Sequence, residues 1–121
     1  MYFRVFDEPH DRKQHCYHIK SKEKKLSNGD IDFIFSILKI KNQEPTKADI
    51  YPSVSKEVGF HFNYESPWCS NVLAIFRKNG VKSIERIERT TIIHNDIFDP
   101  ERIDPKLHRI YETSPNTFDV E

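Results

Sequence analysis

Gly59-Phe-His-Phe-Asn-Tyr-Glu-Ser-Pro-Trp-Cys-Ser-Asn71 decides how this 121-residue chain folds. It continues a run, Glu57 to Tyr64, in which Val58, Phe60, Phe62 and Tyr64 alternate with Glu57, Gly59, His61 and Asn63. A two-residue apolar period is that of a β-strand with one face on a core and the other in water. The alternation stops at Ser66-Pro67. A serine there can accept from the first free N–H groups of a helix, and proline suits the first helical position because its missing N–H is not needed. Trp68, Val72, Ile75 and Phe76 then mark one helical face, and Gly80, following the basic pair Arg77 and Lys78, supplies the stop. The stretch therefore predicts a strand followed by a helix of about three turns.

The same rules carry the assignment outward. Ser83 to Asn95 returns as a strand, and the three-residue spacing of Ile84 and Ile87 means either a bulge that shifts its register, the favoured reading, or partial cover on both faces. At the start of the chain, Tyr2 to Phe6 is aromatic and β-branched enough for a strand. Asp7 to His15, with Pro9, reads as a loop, and Cys16 to Lys20 as a short strand with Tyr17 and Ile19 on one face. Lys20 to Lys25 is a solvated basic stretch. Ser27 and Asp30 form a helix-start signal resembling a capping box, and Ile31, Ile34, Phe35 and Leu38, widened by Phe33 and Ile37, make the apolar stripe of a helix. Lys41 to Lys56 is expected as a long loop. Beyond Phe98, prolines at 100, 105 and 115 predict an irregular tail with a turn of helix around Lys106 to Tyr111.

Composition bounds the function. A chain of this length is one domain and buries enough surface to stand without disulfides. Nineteen basic residues balance nineteen acidic ones, so no global positive field attracts phosphate backbones, and nucleic acid is not expected as a partner. No apolar N-terminal stretch resembles a signal peptide or a membrane span, and Cys16 and Cys69 lie in different segments. The expectation is a cytoplasmic protein with reduced thiols and no membrane contact.

Several constellations could carry chemistry. His10, His15, Cys16 and His18 supply zinc-type donors close in sequence. No second ligand pair follows at zinc-ribbon spacing, and ordinary loop and strand residues are the favoured reading, with no metal site. Cys69 near the start of the second helix could be an activated thiol, but a cysteine beside Trp68 is more often a small core residue. The pairs Glu85 with Glu88 and Asp99 with Glu101 could be acid/base carboxylates. The alternating charges Glu85, Arg86, Glu88 and Arg89 are better explained as a ladder of ion pairs. Gly29, Gly59 and Gly80 form no phosphate-binding loop, so no cofactor and no catalytic residue is expected.

Together, Gly59 to Asn71 and Ile84-Glu-Arg-Ile-Glu-Arg89 resemble the PurS-like N-terminal domain of large phosphoribosylformylglycinamidine synthases. In that family a strand runs into Ser-Pro-Trp-x-Ser, a helix ends near a glycine, and a strand carries Arg-(Leu/Ile)-Glu-Arg. Ser66, Pro67, Trp68, Ser70, Gly80, Arg86, Glu88 and Arg89 match in order and spacing, with weaker echoes at Cys16-Tyr-His-Ile and Leu107-His108-Arg109. The family's long helix between the first two strands has no counterpart in Asp7 to His15.

The resemblance implies an α+β fold, an antiparallel β-sheet flanked by α-helices, in two similar α/β halves of which the first is trimmed. It assigns residues 1–112 to the PurS-like domain and 113–121 to an irregular tail. It also implies a non-catalytic structural or assembly subunit of a glutamine-dependent, ATP-consuming ligase in purine biosynthesis. Such a part bridges the synthase and glutaminase subunits, its expected partners. Ser66, Pro67, Trp68, Arg86, Glu88 and Arg89 are the interface candidates; helix capping and core packing explain the Ser66 to Trp68 elbow equally well, and Arg86 and Arg89 are favoured because arginine is enriched at binding surfaces. The trimmed half would leave part of the sheet bare and permit a homodimer. The alternative is a small-molecule or nucleotide-binding regulatory domain, which such sheets also host.

Overall fold

A computed structural model describes residues 2–7, 9–22, 26–39, 55–60, 65–102 and 108–111. In order they form β1 (Tyr2–Phe6), β2 (Lys13–Ser21), α1 (Asn28–Leu38), β3 (Ser55–Phe60), α2 (Pro67–Lys78), β4 (Ile84–His94), a 3-10 turn (Pro100–Arg102) and β5 (His108–Tyr111). The strands make one antiparallel five-stranded sheet in the order β1-β2-β4-β3-β5. The α+β fold with an antiparallel sheet and flanking helices is thus what the chain adopts.

Both helices begin as their sequences dictate. Ser27 Oγ accepts from the Asp30 N–H at 3.2 Å, and Ser66 Oγ accepts from the Cys69 N–H at 3.1 Å. Helix α2 ends in a left-handed glycine, Gly80 at φ 87°, with the Val81 N–H donating back to Phe76 O and the Gly80 N–H to Arg77 O. This pairing satisfies two carbonyls that the helix end would otherwise leave orphaned. The two helices lie on one face of the sheet. Ile34, Phe35 and Leu38 of α1 and Cys69, Val72, Leu73 and Phe76 of α2 close over Val5, Tyr17, Ile19 and Ile87. Ile37 and Ile75, placed on the stripes by periodicity, are exposed.

Four expectations need correction. The loop from Asp7 to His15 is shorter than expected, because β2 starts at Lys13. The turn is Asp11-Arg12, both at positive φ (52° and 63°), the geometry that matches the twist of a two-residue hairpin. The first two strands are therefore joined by a tight hairpin rather than a helix. Even so, the helix-side face of β1 and β2 is not bare, since Val5 and Ile19 are fully buried. Residues 108–111 are strand β5 rather than a turn of helix. Four residues are too few to nucleate a helix, and the open edge of β3 takes them instead, with Val58 opposite Ile110 and the Tyr111 hydroxyl donating to Phe60 O at 2.6 Å. Finally, Glu57, expected in water, is buried.

The expected bulge is present: Lys20 faces Arg86 and Ser21 faces Ile84, leaving Glu85 as the extra residue of β4. The rest of the expected strand after Phe60, most of the loop at 41–56 and the tail at 113–121 lie outside the described residues.

Gly59 is required by close packing rather than by its dihedral angles. It sits opposite Thr90, where an added Cβ would come within 2.6 Å of Thr90 Cγ2 and 3.3 Å of Arg89 O. Thr90 cannot rotate away freely, because its Oγ1 lies 3.0 Å from both His18 Nε2 and Glu57 Oε2. Gly59→Ala is expected to destabilise the fold by about 1–3 kcal/mol, read from urea unfolding. Adding Thr90→Ser, which deletes the obstructing methyl, should recover part of that loss; no recovery would refute the clash.

Candidate functional site

The motif residues converge where β3 has left the side of β4 and the start of α2 takes its place. Glu88 is 1% exposed, and its carboxylate accepts from the Ser66 N–H at 3.0 Å and from Ser66 Oγ at 2.5 Å. Arg86 donates to the same carboxylate from Nε and Nη2, both at 3.2 Å. One strand residue therefore fixes the cap of α2, and the cap in turn holds the helix. Beside it, the Ile87 N–H donates to Cys69 Sγ at 3.4 Å, so a strand edge is satisfied by a side chain. Glu88 is thus no member of a solvated ladder. Only Glu85, near Lys20 at 3.6 Å, behaves that way.

The other motif residues face outward. Pro67 is exposed and Trp68 half-buried, and the exposed Arg89 guanidinium sits over the Trp68 ring, 5.2 Å from its centroid. Trp68 also stacks on Tyr17 with ring centroids 6.1 Å apart. The six residues therefore form two groups that meet at the start of α2: Ser66, Arg86 and Glu88 make the clasp, and Pro67, Trp68 and Arg89 lie together toward the surface.

That surface borders a cavity of about 330 Å³, whose wall includes Lys13, Phe60, Trp68, Arg89, Arg102 and His108. His108 Nδ1 is buried there, and among the described residues it has no hydrogen-bond partner.

The cysteines behave as core residues. Cys69 is fully buried, and despite its place in the first turn of α2 burial pushes its thiol up to about 12. Desolvation outweighs the helix dipole, and no activated nucleophile results.

Sequence proximity misled at the histidines. His10 is exposed in the hairpin turn beside Asp11, and His15 turns to the helix side, where Nδ1 meets Asp7 at 2.8 Å. Cys16 and His18 point to the opposite face and are fully buried. There the Tyr2 hydroxyl lies 2.5 Å from His18 Nδ1, and Nε2 lies 3.2 Å from Glu57 Oε2. Burial pushes the Cys16 thiol and the Tyr2 phenol well above their ordinary ranges and lowers the His18 imidazole. Tyr2, Glu57 and Thr90 were missed as members of this network. Only the i, i+2 spacing of Cys16 and His18 hinted at it.

Comparison with known proteins follows the motif. The family model described as formylglycinamide ribonucleotide amidotransferase N-terminal matches residues 14–111. A probable phosphoribosylformylglycinamidine synthase of Caenorhabditis elegans is 28% identical over 81 residues, covering 63% of this chain and 6% of its own length. The chain thus spans a small fraction of that relative. No solved structure matches. Among the described residues, no helix is long and apolar enough to cross a membrane.

Proposed function

The chain belongs to the formylglycinamide ribonucleotide amidotransferase N-terminal family, and on that premise we propose that it serves purine biosynthesis as a non-catalytic assembly part of a phosphoribosylformylglycinamidine synthase. In this role it joins the synthase and glutaminase parts in the cytoplasm. The observation that carries the reading is how the motif residues are used. Ser66, Arg86 and Glu88 are hydrogen-bonded to one another, holding α2 against β4, rather than presented to a substrate. Motif residues spent on positioning a surface are what a docking part needs. The surface so positioned is Pro67, Trp68 and Arg89, an exposed arginine on an aromatic ring, and both types are enriched at protein interfaces.

Co-expression with the synthase and glutaminase parts tests this. The expected result is co-purification of the three, lost or weakened at least about tenfold by Arg89→Glu, as for an interface hot spot. The variant's unfolding midpoint should be nearly unchanged. Failure to bind either part, or a chain that only pairs with itself, would overturn the reading.

The cavity beside Trp68 favours a second reading, a nucleotide-binding regulatory domain. Lys13 and Arg89 offer positive charge to phosphate, Arg102 being paired with Asp99 of the same wall, and Phe60 and Trp68 offer flat apolar surface to a base. Thermal stabilisation by a nucleotide, together with no binding to either enzyme part, would decide for it.

A further inference from the structure

On the face of the sheet opposite α1 and α2, three side chains from two non-adjacent strands meet. Cys16 Sγ and His18 of β2 and a carboxylate oxygen of Glu57 of β3 all lie within 4.8 Å of one another, above Thr90 of the intervening β4. All three residues are buried, Cys16 and His18 completely and Glu57 to 8% exposure. We propose that Cys16, His18 and Glu57 form a binding site for a zinc-class divalent cation that staples β2 to β3 across β4.

Several observations support the site beyond proximity. A thiolate, an imidazole and a carboxylate are the three side-chain donors zinc uses, and a mixed set of this kind suits a borderline-soft ion better than calcium or magnesium. A tetrahedral zinc ion, with bonds of about 2.0–2.3 Å, separates its ligand atoms by roughly 3.3–3.8 Å. Contraction of about 1 Å at the widest pair seats the ion. Charge balances as well: one divalent cation, one thiolate and one carboxylate sum to zero, the arrangement a buried, low-dielectric face tolerates. Tyr2 completes the pattern, since its hydroxyl lies 2.5 Å from His18 Nδ1. A metal-bound imidazole characteristically engages its second nitrogen in this way.

The protons balance. Without the ion, His18 donates from Nε2 to Thr90 Oγ1 and Glu57 and accepts from Tyr2 at Nδ1. With the ion on Nε2, the imidazole keeps one proton, now on Nδ1, and donates it to the Tyr2 oxygen. Cys16 releases its thiol proton to solvent, the imidazole exchanges its Nε2–H for an Nδ1–H, and no bond between heavy atoms is broken. Because the three ligands are buried, the ion and the one water that completes its tetrahedral shell enter as the chain folds, so binding couples to folding.

The full chain, free of any histidine tag and unfolded with chelator, is refolded with zinc or cobalt(II) and passed over a desalting column. Stoichiometric retained metal is expected, with a thiolate-to-cobalt charge-transfer band in the near ultraviolet and a thermal midpoint higher than with chelator present. Cys16→Ser should abolish the band, whereas Cys69→Ala should keep it. Zinc-edge X-ray absorption of the unmodified chain should find a single sulfur among nitrogen and oxygen neighbours. That measurement decides the matter even if a variant fails to fold. The proposal is overturned by absence of retained metal, by a zinc shell without sulfur, or by a band that survives Cys16→Ser and disappears with Cys69→Ala.

Discussion

Glu88→Ala is expected to lower the unfolding free energy by about 3–5 kcal/mol, the loss typical of removing one partner from a buried charge pair. The carboxylate is 1% exposed and receives hydrogen bonds from the Ser66 N–H, the Ser66 hydroxyl and Arg86. Its deletion leaves two Ser66 donors buried without their acceptor and takes the carboxylate away from Arg86. A charge-assisted hydrogen bond contributes more than a neutral one, and a stranded donor loses the full desolvation energy. Glu88→Gln keeps an acceptor for the Ser66 N–H and should lose only about 1–2 kcal/mol. Ser66→Ala removes the cap and should lose about 1 kcal/mol as a cap, plus its share of the Glu88 interaction. A double-mutant cycle on Ser66 and Glu88 by urea unfolding measures that share, expected at about 0.5–3 kcal/mol. A stability loss under about 0.5 kcal/mol for Glu88→Ala would show that the clasp does not hold α2 to β4.

Phe76→Ala is expected to lose about 3–5 kcal/mol for a different reason, the cavity it opens. The ring is fully buried at the last turn of α2 and meets Phe33 of α1 edge-on, with centroids 6.0 Å apart and planes at 70°. It is one place where the two helices touch, and it anchors the turn whose Val81 N–H returns to its own carbonyl. Neighbouring Ile75 is 44% exposed, and Ile75→Ala should change stability by no more than about 0.5 kcal/mol. Chemical denaturation of both variants checks the contrast; near-equal losses would mean that α2 is rotated relative to the sheet.

Local signals were legible wherever the physics is local. Ser66-Pro67 started α2, Gly80 ended it, Ile34, Phe35 and Leu38 faced the core, and the spacing of Ile84 and Ile87 announced the bulge at Glu85. What escaped depended on partners distant in sequence. Glu57 occupied a polar slot of an alternating strand, and only His18, thirty-nine positions earlier, and Thr90, thirty-three later, make its burial tolerable. Glu88 looked like part of a charge ladder because Ser66, its true partner, is twenty-two positions away. The hairpin at Asp11-Arg12 lacked the glycine or asparagine that usually announces such a turn, so the start of β2 was placed three residues too late. Strand β5 was hidden for a related reason: four residues carry too little pattern to declare a strand until an unfilled edge selects them.

Placing β4 at the centre of the sheet has a consequence for how the molecule comes into being. The hairpin of β1 and β2 leaves the ribosome before its sheet neighbour, Ile84–His94, so Tyr17 must wait for Arg89 before it can pair. The early hairpin meanwhile carries Val5, Tyr17 and Ile19 with no cover, and an isolated hairpin is marginal in water. Closing so long a loop makes the nucleus late and non-local, which puts folding toward the slow, milliseconds-to-seconds end of small domains. Nascent chains cut short before residue 94 would therefore be captured by chaperones, while chains that have cleared it would fold as a unit.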